Sequence, residues 1–124
     1  MTVISIDRTL TQSEFDLFAT ISGDNNPIHV DPAFSARTRF GRTVSHGMLL
    51  YTVLWGLVQK HYPGARQTNQ ALMFPNPAYA NEPLRFVIGE DRKEEDRILL
   101  TTKVARLGDG AVVLEGQSEI TVAS

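Results

Sequence analysis

Ser45-His46-Gly47-Met48-Leu49-Leu50-Tyr51-Thr52-Val53-Leu54-Trp55-Gly56-Leu57-Val58 is the stretch on which the architecture turns. Met48, Leu49, Leu50, Val53, Leu54, Leu57 and Val58 cover well over half a helical circumference, so a helix here is buried on most sides rather than laid on a surface. It begins at Ser45 or His46 and stops before Pro63-Gly64, which gives about 15 residues. Upstream, Thr11-Gln12-Ser13-Glu14 has the form of a capping box, and Phe15, Phe18, Ala19 and Ile21 follow at helical spacing as far as Ser22-Gly23. Residues 23–31 are polar and turn-rich. Asp31-Pro32 then reads as an N-cap and a first-turn proline opening a short helix through about Arg37. Residues 39–42 read as a loop, and Val3, Ile4 and Ile6 suggest a short opening strand.

Downstream the period changes from helical to alternating. Ala71–Phe74, Leu84–Gly89, Ile98–Arg106 and Ala111–Val122 read as strands, with Leu84, Phe86 and Ile88 on one face and Arg85 and Val87 on the other. Glu94-Glu95-Asp96 and Gly108-Asp109-Gly110 supply the turns between them. The expectation is a meander of about four antiparallel strands with the helices gathered on one face, an α+β domain. The 124 residues show no repeat, linker or low-complexity segment and predict a single domain, 1–124. A chain this short leaves room for a partner subunit to complete its core.

Composition narrows the function. Twelve basic and fourteen acidic residues give a net charge of −2 without a basic run, so neither nucleic-acid binding nor a polybasic membrane role is expected. The absence of cysteine excludes disulfide scaffolds, thiolate zinc sites and Cys nucleophiles. His29, His46 and His61 include no pair at the i, i+4 spacing of a helical zinc site, so no metal is expected. The N-terminus lacks the basic and apolar regions of a signal peptide, and the apolar stretch at Gly47–Val58 is too short to span a bilayer. A cytoplasmic protein is expected.

Two segments carry chemistry. In Ser22-Gly23-Asp24-Asn25-Asn26-Pro27-Ile28-His29, Pro27 fixes one φ and keeps Asn26 out of the α-region, while Asn25 and Asn26 tolerate unusual backbone angles. A rigid loop that presents one carboxylate and one imidazole suits the positioning of a water molecule and the transfer of its protons. The competing reading is a plain Asp-Asn-Asn-Pro turn. The second segment is Ser45-His46-Gly47, where a helix N-terminus exposes unpaired N–H groups and Gly47 admits a ligand close to the backbone. A carbonyl aimed there would be stabilised as it gained charge. Alternatively, Ser45 or His46 caps the helix and Gly47 relieves crowding.

Together the two segments resemble the MaoC-like hydratase/dehydratase family, which includes the (R)-specific enoyl-CoA hydratases. The resemblance rests on Phe18-x-x-Ile21-Ser22-Gly23-Asp24-Asn25-Asn26-Pro27-Ile28-His29 with Asp31-Pro32-Ala33-Phe34-Ser35, and on Phe40-Gly41-Arg42-Thr43-Val44-Ser45-His46-Gly47-Met48-Leu49. It covers residues 10–60 well and the strands loosely. It implies a hotdog fold, in which a curved antiparallel sheet wraps a long central helix, assembled as a homodimer or a higher even oligomer. It implies that Asp24 and His29 hold the reacting water and that the Gly47 N–H polarises a thioester carbonyl. Asn26, Ser45, His46, Tyr51 and Trp55 would bind substrate. Water would add reversibly across the 2,3 double bond of an enoyl-CoA or enoyl-ACP to give the (R)-3-hydroxyacyl thioester, Asp24 taking the proton of water and His29 supplying one to C2, with the roles exchangeable. No metal or redox cofactor is implied.

The chain also departs from the family pattern. Trp55 stands nine positions past His46, where relatives commonly carry Ser, and Tyr51 lies one turn before it. Either the two narrow an acyl tunnel or they are core residues. Asn81-Glu82 replaces a frequent Gly-Asp and is read as a turn variation, while Phe74 and Pro77 fit the family pattern. Arg37, Arg39, Arg42, Lys60 and Arg66 either meet carrier phosphates or are simply solvated. Besides the hydratase, the readings left open are a 3-hydroxyacyl-ACP dehydratase, a thioesterase, and a non-catalytic partner subunit.

Overall fold

The computed structural model describes residues 3–123. Strand β1 (Val3–Thr9) leads into helix α1 (Gln12–Ser22), and two short helices follow, α2 (Pro27–Val30) and α3 (Pro32–Ala36). Helix α4 (Gly47–His61) precedes strands β2 (Arg66–Met73), β3 (Pro83–Glu94), β4 (Arg97–Arg106) and β5 (Val112–Thr121).

Local chemistry sets the helix boundaries. Thr11 and Glu14 form the expected capping box at the start of α1, each side chain bonded to the other's backbone, and Gly23 closes the helix at φ 81°, a left-handed position. Asp31 caps α3, its carboxylate accepting from the Phe34 N–H at 3.1 Å. The turn-rich segment 23–31 contains a helical turn in place of the expected loop. Asn26 caps α2 through Oδ1, which accepts from the Ile28 N–H at 3.1 Å, and Pro27 occupies the first turn. Four residues are too few to show a helical period.

The five strands form one antiparallel sheet in the order β1-β3-β4-β5-β2. Its inner face is the alternating set expected from the sequence: Leu84, Phe86 and Ile88 from β3, Ile98, Leu100 and Val104 from β4, all buried. Helix α4 lies against this face and buries Leu49, Leu50, Tyr51, Val53, Leu54, Leu57 and Val58. This is the hotdog arrangement, α+β, with α4 as the central helix.

The expected four-strand meander needs correction. Only β3, β4 and β5 form one; β2 pairs with β5 on the far side, and β1 pairs with β3. The connection from β2 to β3 contains Pro75 and Pro77 and is no tight hairpin, so adjacency in sequence does not become adjacency in the sheet. The strand expected at Ala71–Phe74 is only the end of β2, whose first part, Arg66-Gln67-Thr68-Asn69-Gln70, is polar and carries no alternation. Both expected hairpin turns are present: Glu95 (φ 55°) sits between β3 and β4, Gly110 (φ 76°) between β4 and β5. Among the described residues, no helix is long and apolar enough to cross a membrane.

Candidate active site

Asp24 and His29 are held by a chain of short-range bonds. Ser22 donates its hydroxyl to the Phe18 carbonyl at 2.7 Å and accepts the Asp24 N–H at 3.1 Å. The Asp24 carboxylate accepts the Asn26 N–H at 3.4 Å. Helix α2 is then pinned from outside: the Val44 N–H donates to the Ile28 carbonyl at 2.9 Å, the Ser35 hydroxyl to the same carbonyl at 3.1 Å, and Gln12 Nε2 to the His29 carbonyl at 2.8 Å. Gln12 is itself fixed by the Thr43 hydroxyl, which donates to its Oε1 at 2.6 Å.

The ring of His29 is buried, 8 % exposed, and its Nδ1 lies 2.8 Å from the Val44 carbonyl. A carbonyl only accepts, so Nδ1 carries a proton and Nε2 of the neutral ring presents a lone pair. That Nε2 faces Asp24 Oδ2 at 3.8 Å, too far for a direct hydrogen bond and suited to a shared water. The Asp24 side chain is 56 % exposed, so the pair opens to solvent on its acidic side.

His46 lies beneath them, 2 % exposed. Its Nε2–H donates to the backbone carbonyl of Asp24 at 2.8 Å. Its ring stacks on His29 with centroids 3.8 Å apart and planes 24° apart, and it meets Phe18 edge-on at 4.9 Å. Burial is the main force holding the His46 pKa below its usual value. The nearby His29 acts in the same direction; the Asp24 carbonyl bond and carboxylate oppose it. His46 occupies the N-cap position of α4 but makes no side-chain capping bond, and the Ser45 hydroxyl donates to the His46 carbonyl at 2.9 Å, so neither side chain caps the helix. Gly47 is the first residue of α4, a position whose N–H has no acceptor within the helix. A Cβ there would fall 2.8 Å from the ring of Phe74, so glycine allows the aromatic wall to close on the helix start.

These groups border one cleft of about 590 Å³, walled by Phe18 and Phe74, with Arg39 and Met48 also on its surface. Asp24, His29, Ser45, His46 and Gly47 all line it. Asn26, Tyr51 and Trp55 do not. Asn26 is engaged in capping α2. Tyr51 is buried and hydrogen-bonded to Gln67 and, at 3.2 Å, to Ser118 on β5; burial raises its pKa, and the Ser118 bond works against that rise. Trp55 is half-buried against the core cluster. A second cavity of about 590 Å³ lies on the sheet and is lined by no histidine or aspartate. Arg42 is tied to Glu82 at 2.9 Å and lies 4.0 Å over the Tyr79 ring, so the Asn81-Glu82 turn belongs to a structural network.

Asp24, His29 and His46 bring possible ligand atoms within 4.8 Å of one another. The set is poor for a metal: His46 Nε2 is committed as a donor to the Asp24 carbonyl, and the two histidine rings stack on each other. The Val44 carbonyl, the Phe74 wall and the Gln12 brace were not foreseen. Each meets its partner across the fold, Val44 fifteen residues from His29 and Gln12 seventeen.

Comparison with known proteins identifies the family. The profile described as "MaoC like domain" matches residues 2–108, and the chain belongs to the MaoC-like family. It is 34% identical over 119 residues to an (R)-specific enoyl-CoA hydratase from Aeromonas caviae, covering 93% of this chain and 88% of that one. It is 25% identical over 120 residues to a mitochondrial 3-hydroxyacyl-[acyl-carrier-protein] dehydratase from Arabidopsis thaliana, covering 94% of this chain and 72% of the relative. The solved (R)-hydratase of A. caviae superposes with a TM-score of 0.93 at 28% identity, over 98% of this chain and 95% of its own. An R-hydratase of Pseudomonas aeruginosa gives 0.92 at 27% identity, over 99% and 81%.

Proposed function

We propose that residues 1–124 act as a single hotdog domain that hydrates 2-enoyl-CoA reversibly to (R)-3-hydroxyacyl-CoA, with Asp24 and His29 activating water. The observation that carries this reading is the pair itself: His29 Nε2 and the Asp24 carboxylate 3.8 Å apart, in a cleft lined also by Gly47, the first residue of α4. A water between them has two acceptors for its protons. Its oxygen bonds to C3 as one proton passes to the pair, and the electrons of the 2,3 double bond move toward the thioester oxygen. The Gly47 N–H and the positive end of α4 stabilise the enolate so formed. A proton from the pair then goes to C2, and the site returns to its starting state. The Nδ1–H bond to Val44 leaves Nε2 as the nitrogen that faces Asp24, which favours His29 as the base over the role expected from the sequence.

The (R) outcome and the CoA carrier follow the hydratases to which the chain is similar. The same residues run in reverse serve a 3-hydroxyacyl-ACP dehydratase, the activity named for the Arabidopsis relative. In this reading Arg39, on the cleft surface, would meet a carrier phosphate. Ser45 and His46 contribute to the site as lining, Asn26 as the cap that fixes α2, and Tyr51 and Trp55 as core. We place the enzyme in the cytoplasm as a homodimer that needs no metal or redox cofactor.

Hydration of crotonyl-CoA and crotonyl-ACP by the purified chain tests the reading and ranks the carriers. Asp24→Asn and His29→Ala should each lower kcat by about 10²–10⁴-fold with the circular dichroism spectrum retained. Near-normal turnover by either variant, or silence of the wild type on both substrates, would overturn the assignment.

A further inference from the structure

We infer that His46 is a positioning residue for the Asp24–His29 pair, acting through its Nε2–H on the Asp24 carbonyl and through its ring against the His29 imidazole. The inference deepens the hydratase reading and rests on it. Three observations converge on this one side chain. Its donor bond, 2.8 Å long, lands on the backbone of the residue that presents the carboxylate and not on a neighbouring turn. Its plane supports the His29 ring at 3.8 Å, and Phe18 closes on it at 4.9 Å, so it fills the gap between the two acid–base groups and the core. It is also more deeply buried than His29 itself, 2 % against 8 % exposed.

The bonds also define its charge state. Nε2 must carry a proton to donate to a carbonyl, while Nδ1 is buried and accepts no hydrogen bond from the protein. A buried Nδ1–H would be an unpaired donor, so the neutral Nε2–H tautomer is the form this environment supports. A second positive charge here would lie against the ring of His29 and oppose any proton arriving there. The stacked pair therefore has opposite tautomers: His29 protonated at Nδ1 for Val44, His46 protonated at Nε2 for Asp24. One ring exposes its free lone pair to the reaction; the other turns its donor toward the loop that carries Asp24.

Two variants separate the two contacts. His46→Gln retains an N–H donor at about the reach of Nε2 and loses the ring, while His46→Phe retains the stacked ring and loses the donor. Each should lower kcat for crotonyl-CoA by about 10- to 100-fold with KM little changed, because the reacting groups shift while the cleft that binds the thioester does not. Long-range proton–nitrogen spectra of the imidazoles provide the second readout. In the wild type at pH 7, His46 should show the neutral Nε2–H tautomer and His29 the Nδ1–H tautomer; in each soluble variant the His29 signals should move. Wild-type kcat in both variants would overturn the inference. So would an imidazolium or an Nδ1–H tautomer at His46, a result obtained from the wild type even where the variants fail to fold. If the wild type shows the two tautomers but hydrates neither crotonyl-CoA nor crotonyl-ACP, the hydratase reading fails and the placement of the rings stands.

Discussion

Tyr51 and Trp55 are the residues whose meaning the structure changes most. Both are large aromatics on α4 downstream of Gly47, and on that basis they qualify as walls of an acyl tunnel. The hydroxyl of Tyr51 instead reaches Gln67 and Ser118 on the strand side of α4, and Trp55 packs on the core cluster outside the cleft. Trp55→Ala should therefore leave the ratio of C4 to C8 enoyl-CoA turnover unchanged while lowering stability by about 3 kcal/mol in urea unfolding. A shifted chain-length preference at unchanged stability would restore the tunnel. Asp24 and His29, by contrast, are legible because they sit five residues apart around Pro27, in a segment whose stiffness shows in the sequence. The work of His46 is not legible in the same way, because its contact with Asp24 spans 22 residues and depends on how α4 docks against α1 and α2.

Helices with both an end signal and an apolar run are readable, whereas α2 has its cap and proline but only four residues; β3 and β4 are readable from their buried alternating face. The capping box at Thr11 and the apolar run of α4 both announce themselves. The polar half of β2 does not, since its contribution is backbone pairing and not burial. Pairing imposes its own residue constraint on β5. A Cβ at Gly116 would lie 2.0 Å from the Ala71 carbonyl oxygen, inside any tolerated contact, so Gly116→Ala should push β2 away from β5. The expected loss is about 3 kcal/mol, with amide exchange quickened in β2 before β3 and β4. Unaltered protection of the β2 amides would show that the strand absorbs the methyl group. At the other end of α4, Tyr62 donates to Glu90 Oε2 at 2.8 Å and ties the helix terminus to β3. Burial, the Glu90 bond and the Glu90 charge raise its pKa from 10.0 to about 12. Between those values the unfolded chain sheds a proton that the folded chain keeps, so this contribution to stability declines as pH rises from 10 toward 12. The wild-type melting temperature should fall across that window more steeply than that of Tyr62→Phe; parallel curves would remove Tyr62 from the alkaline transition.

At the scale of the whole molecule, the sheet order is what the sequence does not encode locally. Strand periodicity identifies faces, whereas partners follow from where the connections run. Placing β2 outside β5 leaves one of its edges unpaired among the described strands, and the chain leaves that edge through Met73 and Phe74, 60 % and 45 % exposed. An open edge beside exposed apolar side chains is the feature that natural sheets cover or pair. Phe74 also walls the cleft against Gly47, so whatever covers this edge adjoins the site. A second copy of the chain is the occupant we propose. Light scattering at micromolar concentration should then give about twice the 13.8 kDa chain mass. Met73→Glu, which places a charge on an exposed position of the edge strand, should shift that mass toward the monomer and weaken crotonyl-CoA hydration in parallel. A wild-type mass of one chain would sink the homodimer, and a Met73→Glu variant that remains fully dimeric and active would move the interface away from β2.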